Sequence, residues 1–142
     1  MFKKNIMLIT SIIIVSLIIG GFYILHENKR DYYLDIQKKR IDLFFNENVN
    51  HYKHFTIVKT EKNPMGDYLI KGYVNNNKEL YFTATMNETS DYQFDNQMSM
   101  SENLSNMFKT QNDLDKFPSQ IIKEKKLNEK DYEADPPLIW GF

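Results

Sequence analysis

The sequence predicts an α+β protein: an N-terminal transmembrane helix, then an amphipathic helix packed on a four-stranded antiparallel meander with short C-terminal helices. Three observations predict it. Residues 6–25 carry no charged side chain. Residues 28–48 place polar and apolar side chains on opposite arcs at helical period. Four later runs alternate with period two and are joined by short turn signals.

The apolar run opens at Ile6 and closes at Leu25, and its polar groups are Thr10, Ser11, Ser16 and the hydroxyl of Tyr23. Twenty helical residues span about 30 Å, the thickness of a bilayer's hydrocarbon core. A helix satisfies its own backbone hydrogen bonds, so it tolerates lipid. The run is longer than the roughly 7–15 apolar residues of a signal peptide. It ends in Ile18-Ile19-Gly20-Gly21-Phe22-Tyr23, without an Ala-x-Ala cleavage pattern. A cleaved signal and a buried core helix are the competing readings; an uncleaved anchor fits best. The division that follows is an anchor at residues 1–25 and an α+β domain at residues 26–142. Lys3 and Lys4 argue for an inside N-terminus, whereas Lys29, Arg30, Lys38, Lys39 and Arg40 argue the reverse, so charge leaves the side open.

In the amphipathic stretch, Asp31, Asp35, Lys38, Lys39, Asp42 and Asn46 share one arc. Tyr33, Leu34, Ile41, Phe44 and Phe45 share the other, with Arg40 and Glu47 at its margin and Gln37 as a polar exception inside it. The first strand is Phe55-Thr56-Ile57-Val58-Lys59-Thr60, rich in β-branched residues. Asn63-Pro64-Met65-Gly66 has turn composition, and Tyr68, Ile70, Gly72 and Val74 then alternate with Leu69, Lys71 and Tyr73. Asn75-Asn76-Asn77 is a second turn, before Leu80, Phe82, Ala84 and Met86 alternate with Tyr81, Thr83 and Thr85. Tyr92, Phe94, Met98 and Met100 make the fourth run. Ser99 and Glu102 have capping-box spacing ahead of a short helix with Leu104, Met107 and Phe108. Residues 110–116 are polar and loop-like. Pro118 suits the first turn of a helix carrying Ile121 and Ile122, and residues 123–130 are mostly charged.

Chemistry is hard to place on this sequence. Two of the 18 basic residues and none of the 19 acidic ones lie in the first 25 positions. Residues 26–142 therefore carry 16 against 19, a formal charge of −3, which is no footprint for nucleic acid. There is no cysteine, hence no disulfide and no thiolate. His51 and His54 have a spacing that a metal accepts on a helix, but surface histidines at a helix–strand junction explain them better. Asp131, Glu133 and Asp135 alternate as solvated acids do. Asn87-Glu88-Thr89 matches a glycosylation acceptor, a short and common pattern. No glycine-rich phosphate loop and no nucleophile elbow occurs, so the expectation is a non-enzyme with no cofactor and no metal.

The aromatic residues are the remaining signal. Alternation puts Tyr73 and Tyr81 on the outer face of adjacent strands, where they either brace the sheet or form a binding surface. Residues 134–142 are proline-rich, then apolar, and Leu138, Ile139, Trp140 and Phe142 either dock onto the domain or join a partner-binding patch. Tyr73, Tyr81, Leu138, Ile139 and Trp140 are the candidate partner-binding residues.

Glu61-Lys62-Asn63-Pro64-Met65-Gly66 followed by Ile70-Lys71-Gly72-Tyr73-Val74-Asn75 resembles a staphylococcal family of small exported proteins classed as a domain of unknown function. Tyr132-Glu133-Ala134-Asp135-Pro136-Pro137, Asp31-Tyr32-Tyr33 and Arg40-Ile41-Asp42 are similar to it as well. Many members look like lipoproteins, and some act as immunity or accessory partners of a lipase toxin exported by type VII secretion. The resemblance implies an extracellular, non-catalytic binding domain at the cell membrane. This chain departs from the lipoprotein pattern, having no cysteine near Gly20-Gly21, and a retained helix would replace the lipid. The expected partners are the bilayer, through residues 6–25, and a secreted protein toxin. The alternative is a structural or sensory envelope protein with no toxin partner.

Overall fold

The computed structural model describes residues 2–109 and 115–137. The fold class is as expected: a long N-terminal helix, an open four-stranded antiparallel sheet and short helices after it. The two helices foreseen in residues 6–48 are one element, α1 (Phe2–Asn48), about 70 Å long at the standard rise. No proline interrupts residues 2–48, so nothing in the chain forces a break between the two segments.

Burial in α1 begins at Tyr33. From there Tyr33, Ile36, Gln37, Arg40, Ile41, Phe44, Phe45 and Asn48 are buried, three and four residues apart in turn. That spacing is the wide stripe a helix presents to a sheet. Arg40 belongs to the stripe rather than its margin, being 5% exposed. Asn48 closes the helix: its side-chain amide donates to the carbonyls of Phe44 and Lys116 and its oxygen accepts from Lys116 N–H.

The sheet is a meander of β1 (Phe55–Lys62), β2 (Tyr68–Val74), β3 (Tyr81–Met86) and β4 (Met98–Met100) in that order. A bulge between Ile57 and Lys59 lets β1 keep both Ile57↔Gly72 and Thr60↔Ile70 as core-side pairs. Val58, the extra residue, is exposed. Gly72 is required there, because a Cβ would lie 2.2 Å from the Thr56 carbonyl oxygen. In the β1–β2 turn Gly66 takes φ +94°, and its N–H donates to the Asn63 carbonyl. Asn75 and Asn76 adopt left-handed conformations in the next turn.

Tyr68, Ile70, Val74, Phe82, Ala84 and Met86 face α1 and are buried. Edge-to-face rings knit the layers: Phe45 with Phe82 at 5.0 Å, Tyr33 with Tyr68 at 5.6 Å, Phe44 with Phe94 at 5.6 Å.

The fourth strand is shorter than its alternation suggested. Asp91 and Tyr92 both have positive φ, which ends extended structure before Phe94. Phe94 still enters the core, from a loop. The cap of the following helix, α2 (Glu102–Ser105), is Ser101, whose Oγ accepts from Leu104 N–H. Ser99 instead pairs with Thr83 in the sheet. Helix α3 (Pro118–Glu124) starts at proline as expected and buries Ile121 and Ile122. Of the foreseen loop at 110–116, residues 110–114 lie outside the described residues.

Candidate interaction surfaces

Three regions stand out as candidate surfaces, and the first two carry sites foreseen in the sequence. The first is the outer half of α1. It is long and apolar enough to cross a membrane, and none of its apolar window is buried. A signal sequence passes the same test of length and composition. Ser11 Oγ donates to the Met7 carbonyl and Ser16 Oγ to the Ile13 carbonyl, so these hydroxyls are satisfied within the helix.

The second is the sheet face turned away from α1. Tyr73 and Tyr81 are direct cross-strand partners there, with Tyr81 59% exposed. Further along the same face Glu61 receives Lys59 Nζ at 2.6 Å and Lys71 Nζ from the adjacent strand. The two ammonium groups hold the Glu61 carboxyl down at about 2. The face is therefore a polar sheet surface, with two lysines sharing one carboxylate and one exposed aromatic end.

The third is a cleft of about 650 Å³ between α1, the loop after β3 and the segment after α3. Tyr32, Asp91, Asp95, Glu133 and Asp135 line it, with Arg40 at its base. Arg40 donates to the carbonyls of Phe94 and Tyr132 and pairs with Asp95 at 3.3 Å. Burial lowers the Arg40 pKa, while Asp95 and Glu133 work in the opposite direction. Asp95 also accepts from the N–H and the hydroxyl of Ser119, at the start of α3. Arg40 and Asp95 are thus engaged with each other and with the neighbouring backbone, and they join α1, the loop after β3 and the start of α3.

Next to this joint lies a polar pair built on Gln37, the polar exception within the apolar arc. Gln37 is fully buried; it donates to the Gln93 side chain at 2.8 Å and accepts from Phe94 N–H at 2.7 Å. Gln93 in turn donates to the Ala134 carbonyl and accepts from Ala134 N–H. Its signal was visible: a polar side chain inside an apolar stripe needs a buried partner.

Tyr73 and Tyr81 come together as foreseen. Leu138, Ile139 and Trp140 lie outside the described residues. The segment just before them packs on the domain, with Pro137 buried and its carbonyl accepting from the Tyr68 hydroxyl. His54 shares a hydrogen bond with the Asn76 side chain at 3.0 Å. Among the described residues no group of three His, Cys, Asp or Glu is placed to hold a metal. Asn87 spends its side chain on Thr89 and Gln97.

Fold and surfaces together define a small α+β domain continuous with an apolar helix. The chain belongs to the family described as proteins of unknown function, DUF1433, which matches residues 33–123. The match opens at the first buried residue of α1 and leaves out the apolar run. The chain is also similar to Lin0334 from Listeria innocua, seen in the solution NMR structure of its folded 79-residue fragment. The identity is 30% and the TM-score 0.52, over 66% of this chain and 94% of that one. No curated protein matches the chain.

Proposed function

We propose that this is a membrane-tethered, non-enzymatic binding protein whose domain faces outward, and that it serves as an immunity or accessory partner of a secreted lipase toxin. The observation that carries the tether is the unburied apolar run of α1, joined without a linker to a helix that is buried from Tyr33 onward. An aqueous setting leaves such a run unsatisfied, whereas a bilayer matches its length. The toxin partner and the outward side rest on the family resemblance of the Glu61–Asn75 and Tyr132–Pro137 segments. A tether raises the local concentration of a binder where a lipid-attacking toxin must arrive. Tyr73 and Tyr81 supply the aromatic contact.

The test has two parts. A tag placed after residue 142 is digested by protease on intact, wall-stripped cells if the domain faces outward; protection until lysis rejects that side. Detergent-extracted protein then retains a secreted lipase, and Tyr81→Ala weakens the retention. Recovery of no lipase from any of the host's secreted toxins sinks the partnership. The absence of a linker also favours a second reading, a rigid envelope component. An envelope defect on gene loss in a strain without such toxins would select it.

A further inference from the structure

The order of the sheet leaves β1 with a free edge. Among the described residues this eight-residue strand pairs with β2 alone, whereas the opposite edge, β4, is three residues long. Half of the N–H and C=O groups of an edge strand point away from its neighbour and can take a further strand. The bulge at Val58 interrupts that edge, and Lys59 and Lys62 guard its second half with charge. The first half, residues 55–57, has no such guard.

That first half borders a groove of about 590 Å³. Lys38, Lys39 and Asp42 of α1 line one wall, and residues 54–57 line the other. Phe55 and Ile57 pack against the core yet are only partly buried, while Ile70, Val74 and Phe82 on β2 and β3 are buried. A strand laid beside β1 completes the cover that these two side chains lack. Two lysines against one carboxylate leave the groove positive. Asp42 is engaged by the Asn46 amide and the Tyr52 hydroxyl, and Lys38 by Asp35. Lys39 is exposed and has no ion-pair partner among the described residues.

We propose that the free edge at residues 55–57 and the groove beside it receive an extended, acidic segment of a partner protein, which joins the sheet as a fifth strand. Main-chain hydrogen bonds along β1 supply affinity, and alternate side chains enter the groove. Apolar ones lie over Phe55 and Ile57, and a carboxylate lies beside Lys39. The surface is separate from Tyr73 and Tyr81. The proposal deepens the binding reading above and holds whichever protein supplies the segment.

A second copy of the chain is the other natural partner for a free edge, and the geometry opposes it. Phe45 packs on Phe55, and Tyr33 packs on Tyr68, the partner of Lys62, so α1 runs antiparallel to β1. A two-fold axis that pairs β1 antiparallel with its copy therefore reverses α1. The two apolar halves would point in opposite directions and could not enter one bilayer from the same side, on the tether reading above. Both α1 helices would also lie on one face of the joined sheet, with Lys38 and Lys39 confronting their copies.

The full chain, isotopically labelled and held in detergent, is offered a library of capped random heptapeptides, and the enriched peptides are synthesised singly. The expected peptides carry Asp or Glu, alternate apolar with polar residues, and shift the amide resonances of residues 54–57 and 38–42. Lys39→Glu is expected to weaken them about fivefold. Methylation of alternate peptide backbone nitrogens is expected to abolish binding, because it removes the donors of the added strand. Absence of any enriched peptide overturns the proposal, as do shifts centred on another surface. Equal binding by the methylated peptides overturns strand addition. A concentration-dependent dimer that shifts the same amides gives the edge to a second copy instead. No lipase enters this readout, so its failure is distinct from failure of the toxin partnership.

Discussion

In the outer half of α1 the large apolar side chains are exposed, from 50% at Ile13 to 74% at Met7 and Phe22. In the inner half Tyr33, Ile41 and Phe45 are fully buried and Ile36 and Phe44 nearly so. The same backbone carries both halves without a break. The inner half is amphipathic, and a sheet of matching size covers its one apolar stripe. The outer half is apolar around its whole circumference, so no single sheet or helix would cover it. Helical continuity thus says nothing about environment; the angular distribution of side chains does.

That contrast can be broken by paired substitutions. Phe45→Ala removes a ring packed on Phe82, Phe44, Tyr52 and Phe55. It is expected to cost about 3–5 kcal/mol in urea unfolding of the full chain held in detergent. Leu17→Ala, on the same helix, is expected to leave that unfolding curve in place. Equal effects from the two would mean the halves form one cooperative unit, and the contrast would fail.

A sharper version concerns polarity inside the buried stripe. Gln37→Leu keeps the side chain's bulk but strips Phe94 N–H of its acceptor and Gln93 of a donor. An unsatisfied buried group costs about 1–3 kcal/mol. The loss should appear in the unfolding midpoint and as faster hydrogen exchange at Phe94 and Ala134. A neutral or stabilising Gln37→Leu would mean that the polar joint is dispensable to the fold.

Much of this architecture was legible in the chain. The period-2 runs named the core face of β2 and β3 residue by residue, from Tyr68 to Met86. The turns announced themselves through Gly66 and the asparagines at 75 and 76. The alternation of Tyr92, Phe94, Met98 and Met100 misled, because positive φ at Asp91 and Tyr92 is a tertiary choice: it delivers the Tyr92 carbonyl to the Tyr33 hydroxyl and Phe94 to Phe44. Arg40 looked marginal because its partners, Phe94, Asp95 and Tyr132, lie more than fifty residues away. The cap fell on Ser101 rather than Ser99 although Ser99 has Glu102 three residues on and Ser101 has Leu104, so the box spacing pointed two residues too early. Of the candidate contact residues, Tyr73 and Tyr81 followed from alternation alone. No periodicity exists in residues 134–137 to reveal where that segment packs.

The smallest expected effect lies on the outer sheet face, the surface furthest from α1 and its contrast. The Glu61 carboxyl, flanked by Lys59 and Lys71, titrates near about 2 instead of its ordinary 4.5. A carboxyl depressed on folding stabilises the native state above its unfolded pKa, and the contribution fades as pH falls toward the folded value. The window is therefore about pH 4.5 down to about 2. Acid should lower the urea midpoint of the native chain more steeply than that of Glu61→Gln across this window. The group is exposed, so the difference is expected to be small and to shrink in high salt, as solvent-screened pairs do. A steeper dependence in Glu61→Gln would mean that the lysines do not hold this carboxylate, and the ion pairs ascribed to the face would go with it.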